Sequence, residues 1–246
     1  MKYLHYFESI QDFVTAQNLV DESNEDPWVS TTSGWSGPTY SPSPSVHSEP
    51  NAGPHEYVDL GLSSGTFWAT MNVDAQSLTD SGAQFAWGEL TSKDSFTSGN
   101  YRWPSTQKYN STDGLTELEL EDDVANYAWG GGWHIPTKEQ FMDLINNTTI
   151  TTVVVDGVTC WKFEANDNYI LLPLSTQADD YKYWTSTLSP YSSKLVSYAL
   201  RNTSSASNPS TPSSSTMNII ERYSAGWIRP VIEGSRAWYN APFILR

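Results

Sequence analysis

The hydrophobic pattern is strongest in WGGGWHIPTKEQFMDLI, Trp129 to Ile145. Phe141, Leu144 and Ile145 fall at i, i+3 and i+4, one apolar face of a short helix. Thr137 stands where an N-cap belongs, and Gln140 is placed to close a capping box on it. Pro136 favours an extended residue before it, so a loop enters the helix abruptly. The glycines at 130, 131 and 132 let backbone pass close to Trp129 and Trp133. The rest reads as short strands and long loops. Val58, Leu60 and Leu62 alternate, Phe67-Trp68-Ala69 reads as a buried strand, and Phe85 to Glu89 as a second aromatic strand. Glu119 to Tyr127 reads as a helix stopped at Gly130. ITTVVVDGVTCWKFEAND is a hairpin signal turning at Asp156-Gly157, and NYILLPL is an apolar strand. Tyr183 to Thr187, Val196 to Leu200, Met217 to Arg222 and Trp227 to Ile232 complete the strands.

Two segments stand apart. In residues 1–25, Leu4, Phe7, Ile10, Phe13 and Val14 recur at helical spacing. That stripe fits equally a helix packed on the body and one that docks or mediates a homo-oligomer. Residues 26–54 turn to Pro, Ser, Gly and Thr and read as a linker or extended arm. The organisation expected is therefore a helical segment (1–25), an arm (26–54), one domain (55–235) and a tail (236–246).

Composition explains how few regular elements suffice. Eleven Trp, fourteen Tyr and eight Phe accompany only 17% charged residues. Each buried ring removes ~150–250 Å² from water, enough for a few aromatic anchors to support many loops. Trp68, Trp87, Trp129, Trp133, Trp184 and Trp227 are the expected anchors. Arg229, following a buried strand, is expected to pair with a carboxylate or with backbone carbonyls.

A net charge of −15 argues against nucleic acid or an anionic membrane surface as partner. No apolar run is long enough for a membrane span. Glu8 and Asp12 stand where a signal peptide needs an apolar core, so none is recognised. Cys160 is alone, and no two of the four His have metal-ligand spacing. Glu117, Glu119, Glu121, Asp122 and Asp123, or Asp179 and Asp180, supply oxygen ligands, but no spacing specifies a cation site. Gly61-Leu62-Ser63-Ser64-Gly65 matches G-x-S-x-G, yet it precedes a strand instead of a helix. No catalytic residue, metal or cofactor is expected.

VDLGLSSGTFWATMNV, FAWGEL, WGGGWHIPTKEQFMDLI, ILLPL, YWTST and SAGWIRPV follow one another in an order that resembles the Fibrobacter succinogenes major paralogous domain of gut-bacterial surface proteins and their phages. The resemblance spans roughly residues 56–233. It implies an α+β, C-type lectin-like fold of the formylglycine-generating-enzyme branch. Catalytic relatives of that branch use a pair of cysteines and a copper ion, whereas this chain has Cys160 alone. The resemblance also evokes variable proteins of diversity-generating retroelements, whose randomised residues sit near the C-terminus on such a scaffold.

The stretch 181–223 is rich in Tyr, Ser, Asn and Thr, the residue palette of antibody paratopes. Its ligand-binding candidates are Tyr181, Tyr183, Tyr191, Ser192, Ser193, Tyr198, Asn202, Ser204, Ser205, Asn208 and Tyr223. The expected function is non-enzymatic recognition of a host-cell surface protein or glycan by a phage tail adhesin at the virion or another extracellular surface. A structural virion or fimbrial subunit is the alternative.

Overall fold

The structure is a computed structural model. It describes residues 54–103, 107–174, 181–191, 195–202 and 209–234, together with the backbone of 46–47. All lie in the second of two compact units, Met1–Pro42 and Ser43–Arg246. The helical segment 1–25, most of the arm, the tail, and Asp179 and Asp180 fall outside the described residues.

The described chain is mostly β, with three small antiparallel sheets and a few short helices. The first sheet has the order β1-β2-β3-β10, from Val46–His47, Tyr57–Asp59, Thr66–Ala69 and Val231–Glu233. It joins the start of the domain to its end: Trp68 lies opposite both Val58 and Val231. Two residues of the expected arm thus belong to the sheet, Val46 opposite Val58 and His47 opposite Tyr57.

The second sheet is the meander β4 (Thr149–Val155), β5 (Val158–Ala165) and β6 (Asn168–Pro173). Its first turn needs positive φ at two residues, and Asp156 (50°) and Gly157 (79°) supply it. The third sheet is β7 (Tyr181–Leu188), β8 (Val196–Asn202) and β9 (Met217–Glu221).

Among the described residues two α-helices complete the frame: α1, Val124–Trp129, and α2, Lys138–Asn147. The capping box forms at α2, where Gln140 N–H donates to Thr137 Oγ1 (3.1 Å) and Thr137 N–H to Gln140 Oε1 (2.7 Å). The Gln140 amide then donates to Thr66 Oγ1 (3.2 Å) and Glu233 Oε1 (2.7 Å), tying the helix to β3 and β10. The segment expected as one helix from Glu119 is broken at Asp123. Leu120–Asp122 form a 3₁₀ turn, and the Asp123 carboxylate N-caps α1 through the N–H groups of Ala125 and Asn126. Its other oxygen accepts from Ile135 N–H at 2.7 Å. The Asp123 backbone is extended (φ −92°, ψ 113°), so the helix starts afresh after it.

Two strand expectations shrink. Phe85 to Glu89 makes a single bridge, Phe85 to Gly226. The last strand is Val231–Glu233, because Trp227 to Pro230 cross between elements; Trp227 bridges Tyr183 in parallel.

One apolar cluster joins α2 to all three sheets through Trp68, Phe141, Trp161, Phe163, Tyr183 and Trp227. A second, with Trp87, Tyr109, Ile135, Trp184 and Ile220, packs on the other side of β7–β9. Five of the six expected Trp anchors are buried; Trp129 is half-buried, stacked on His55 with ring centroids 3.9 Å apart. Arg229 is fully buried. It donates to the carbonyls of Ala69, Thr70 and Leu171 and to Asn72 Oδ1, at 2.6–2.8 Å.

Candidate functional site

Side-chain direction in the third sheet decides which Tyr residues can meet a ligand. Successive residues of a strand point to opposite faces, and this sheet has a core on each. Tyr183, opposite Leu200, enters the first cluster, while Trp184, opposite Ala199, enters the second. Tyr181 and Tyr183 are consequently inaccessible. Tyr183 Oη donates to Pro173 O at 2.7 Å and accepts from the Asn72 amide at 3.3 Å; Tyr181 lies against the Trp227 ring. Asn202 is buried as well. These three expected ligand contacts are core residues.

Tyr191 is exposed, and Tyr198 and Tyr223 are half-buried. Tyr191 is 57% exposed, following a turn held by its own N–H on Ser189 Oγ (3.2 Å). Tyr198 lies across from Ile219, itself 41% exposed, and Lys138 Nζ sits 4.4 Å over its ring. Ser192, Ser193, Ser204, Ser205 and Asn208 lie outside the described residues.

Immediately before Tyr191 in the chain, two distant segments form a cleft of about 340 Å³. One wall is Leu188, Ser189 and Pro190; the other is the loop from Asn110 to Thr116. The walls are joined by backbone, Leu188 N–H to Thr116 O at 2.7 Å and Leu118 N–H to Ser186 O at 2.9 Å. The loop is shaped from within: Asp113 accepts from the N–H groups of Asn110 and Leu115, and Asn110 Oδ1 from Thr112. The Asp113 pKa is held below the usual carboxylate value by these N–H donors, against a desolvation that acts the other way. No lining side chain carries charge, so the cleft offers hydroxyl, amide and backbone groups around two leucines and a proline. Nothing in the sequence pattern joins residues 110–116 to 188–190; only the fold does.

Beneath that loop lies a polar cluster. Lys108 Nζ pairs with Glu119 (2.5 Å), Glu121 (2.8 Å) and Asp122 (2.6 Å), while Tyr109 Oη donates to Asp122 at 2.7 Å. Glu119, Glu121 and Asp122 do converge closely enough for a cation, but the Lys108 ammonium holds that position. Arg222, buried beside them, donates to Tyr109 O at 3.0 Å and lies 5.3 Å from the Trp87 ring centroid. Burial lowers its pKa from the usual guanidinium value. Sequence reading missed Lys108 and Arg222, and a lone cation amid aromatics was the only signal.

The groups weighed for catalysis are placed structurally. Ser63 and Ser64 lie in the turn between β2 and β3, facing Asp143 at 3.4–3.5 Å. Cys160 is buried in β5, with its thiol pushed up to about 11 by desolvation. His134 pairs its Nδ1 with Ile135 O and approaches Glu233 at 3.8 Å. No helix among the described residues is long and apolar enough to cross a membrane. No family model, no curated protein and no solved structure matches this chain.

Proposed function

We propose that the domain is a non-enzymatic recognition module of C-type lectin-like fold that seats a surface protein or glycan in the Tyr191 cleft. The observation that carries this reading is the cleft itself. Two distant loops are braced by backbone hydrogen bonds around an uncharged, hydroxyl-rich space, and Tyr191, the residue after the lining Pro190, is 57% exposed. An exposed Tyr offers stiff amphipathic contact area at little entropic cost, and the Ser and Asn groups adapt to a partner's polar groups. The ordered sequence blocks support placement among phage or gut-bacterial surface domains. In that setting the chain serves as a tail adhesin, with its variable residues in the C-terminal third, as in retroelement-diversified proteins.

The test is binding of the purified protein to a panel of intact gut-bacterial cells, beside a Tyr191→Ala/Tyr198→Ala variant. Saturable binding that the variant loses, with its melting temperature retained, is the expected result. A well-folded protein that binds no cells would instead favour a structural virion or fimbrial subunit.

A further inference from the structure

A second cleft, of about 450 Å³, opens between the segment 89–102 and the exposed side of α1. Its base is a closed ion pair. Glu89, 5% exposed, holds Lys93 Nζ at 2.5 Å and accepts the Arg102 backbone N–H at 2.6 Å. Lys93 also donates to Asn100 O at 2.8 Å. The Glu89 charge is therefore already compensated.

Arg102 is held differently. Its guanidinium lies 4.5 Å over the Trp103 ring, and its side chain is 47% exposed. Its one acidic neighbour among the described residues is Asp122, at a long 3.7 Å. Lys108 and Tyr109 engage the other oxygen of that carboxylate, Oδ2, at 2.6 and 2.7 Å, while Arg102 faces Oδ1. The guanidinium rests on the indole, and Arg102 lines the cleft. In a chain of 13 basic and 28 acidic residues, a half-exposed guanidinium whose carboxylate neighbour comes no closer than 3.7 Å is not what solubility alone demands. Tyr127, 67% exposed, and Leu90 contribute apolar surface to the same cleft, and Thr91 a hydroxyl.

We infer that this cleft is a binding site for a carboxylate-bearing sugar, a hexuronic acid. The planar guanidinium matches a carboxylate through two parallel hydrogen bonds, which a hydroxyl cannot reproduce. Lys93 and Arg102 against Glu89 leave one net positive charge at the lining, suited to a monoanion. The Tyr127 ring and Leu90 suit the C–H face of a pyranose, and Thr91 and the Lys93 ammonium suit its hydroxyls. The volume lies within the range of small-ligand sites. This site shares no lining residue with the Tyr191 cleft.

The experiment is titration of the full chain with D-glucuronate and D-galacturonate, followed by amide chemical shifts, with D-glucose, D-galactose and inorganic phosphate as controls. Saturable shifts centred on Arg102 and Tyr127, produced by a uronate and not by the neutral hexoses, are expected. Arg102→Gln should weaken that binding about ten- to a hundredfold, the usual worth of a hydrogen-bonded charge pair, with the melt unchanged. Tyr127→Ala, at an exposed position, reports on the same cleft should the Arg102 variant fail to fold. Tyr191→Ala should leave uronate binding intact, so failure of the adhesin reading and failure of this one are separable. Equal response to the neutral hexoses, preference for phosphate, or no saturable shift with either uronate would overturn the assignment.

Discussion

Arg229 donates through Nε to Asn72 Oδ1 at 2.8 Å, and neither residue is accessible to solvent. The same guanidinium holds carbonyls of residues 69, 70 and 171, so one side chain ties the end of β3 to β6. Burial pulls its pKa down to about 10, which still leaves it charged at neutral pH. Arg229→Met removes every donor while keeping much of the volume, and orphans four acceptors at once. The expected loss is about 3–5 kcal/mol, measured by urea unfolding. A variant within 1 kcal/mol, roughly the net worth of a single hydrogen bond, would show that water replaces the guanidinium.

Tyr183 and Tyr191 should behave oppositely. Tyr183→Phe removes the hydroxyl donor from Pro173 O and leaves the Asn72 amide with Ser81 O as its acceptor, a loss of about 1–3 kcal/mol. Tyr191→Ala should alter stability by no more than about 0.5 kcal/mol, as at ordinary surface positions. Thermal melts of the two variants side by side decide it, and equal losses would place Tyr191 in the core.

Gly226 is required by proximity. A Cβ there would meet Trp184 Nε1 at 2.6 Å, while that indole already donates to Phe85 O at 2.9 Å. Gly226→Ala must displace a buried Trp or break the Phe85–Gly226 bridge, at a cost of about 1–3 kcal/mol. Retention of wild-type stability would mean that the backbone yields at this crossing.

Alkaline pH should destabilise the fold relative to neutral pH. Desolvation raises the folded-state pKa of Cys160 to about 11 from 9.0, and raises those of Tyr101, Tyr109 and Tyr183 further. The unfolded state therefore releases these protons first, so their contribution is complete below pH 9 and declines as pH climbs through the folded values. Melting temperature should fall between pH 9 and 11, and thiol labelling of Cys160 at pH 8 should track unfolding. Rapid labelling of the folded protein would contradict its burial.

Local chemistry was legible in the sequence wherever neighbours in the chain create it. Thr137 and Gln140 specify the start of α2 because their partners lie three residues apart, and Asp156-Gly157 specify the hairpin because both must adopt positive φ. The aromatic anchors were legible too, since large rings in a weakly charged chain must find cover. Arg229, after a buried strand, was read as binding carbonyls or a carboxylate; only the fold could choose the carbonyls.

Tertiary structure decided which rings face outward. Tyr181, Tyr183, Tyr191 and Tyr198 look alike in the sequence, yet the first two are buried because β7 runs between two cores. A period-2 pattern cannot reveal that both faces of a strand are covered. The clefts belong to the same category: residues 110–116 meet 188–190, and Arg102 shares a lining with Tyr127, through closures that bring distant loops together. Sequence determines the local turns, caps and anchors, because their partners are within a few residues. Accessibility belongs to the packed chain, because it depends on what every other segment has covered.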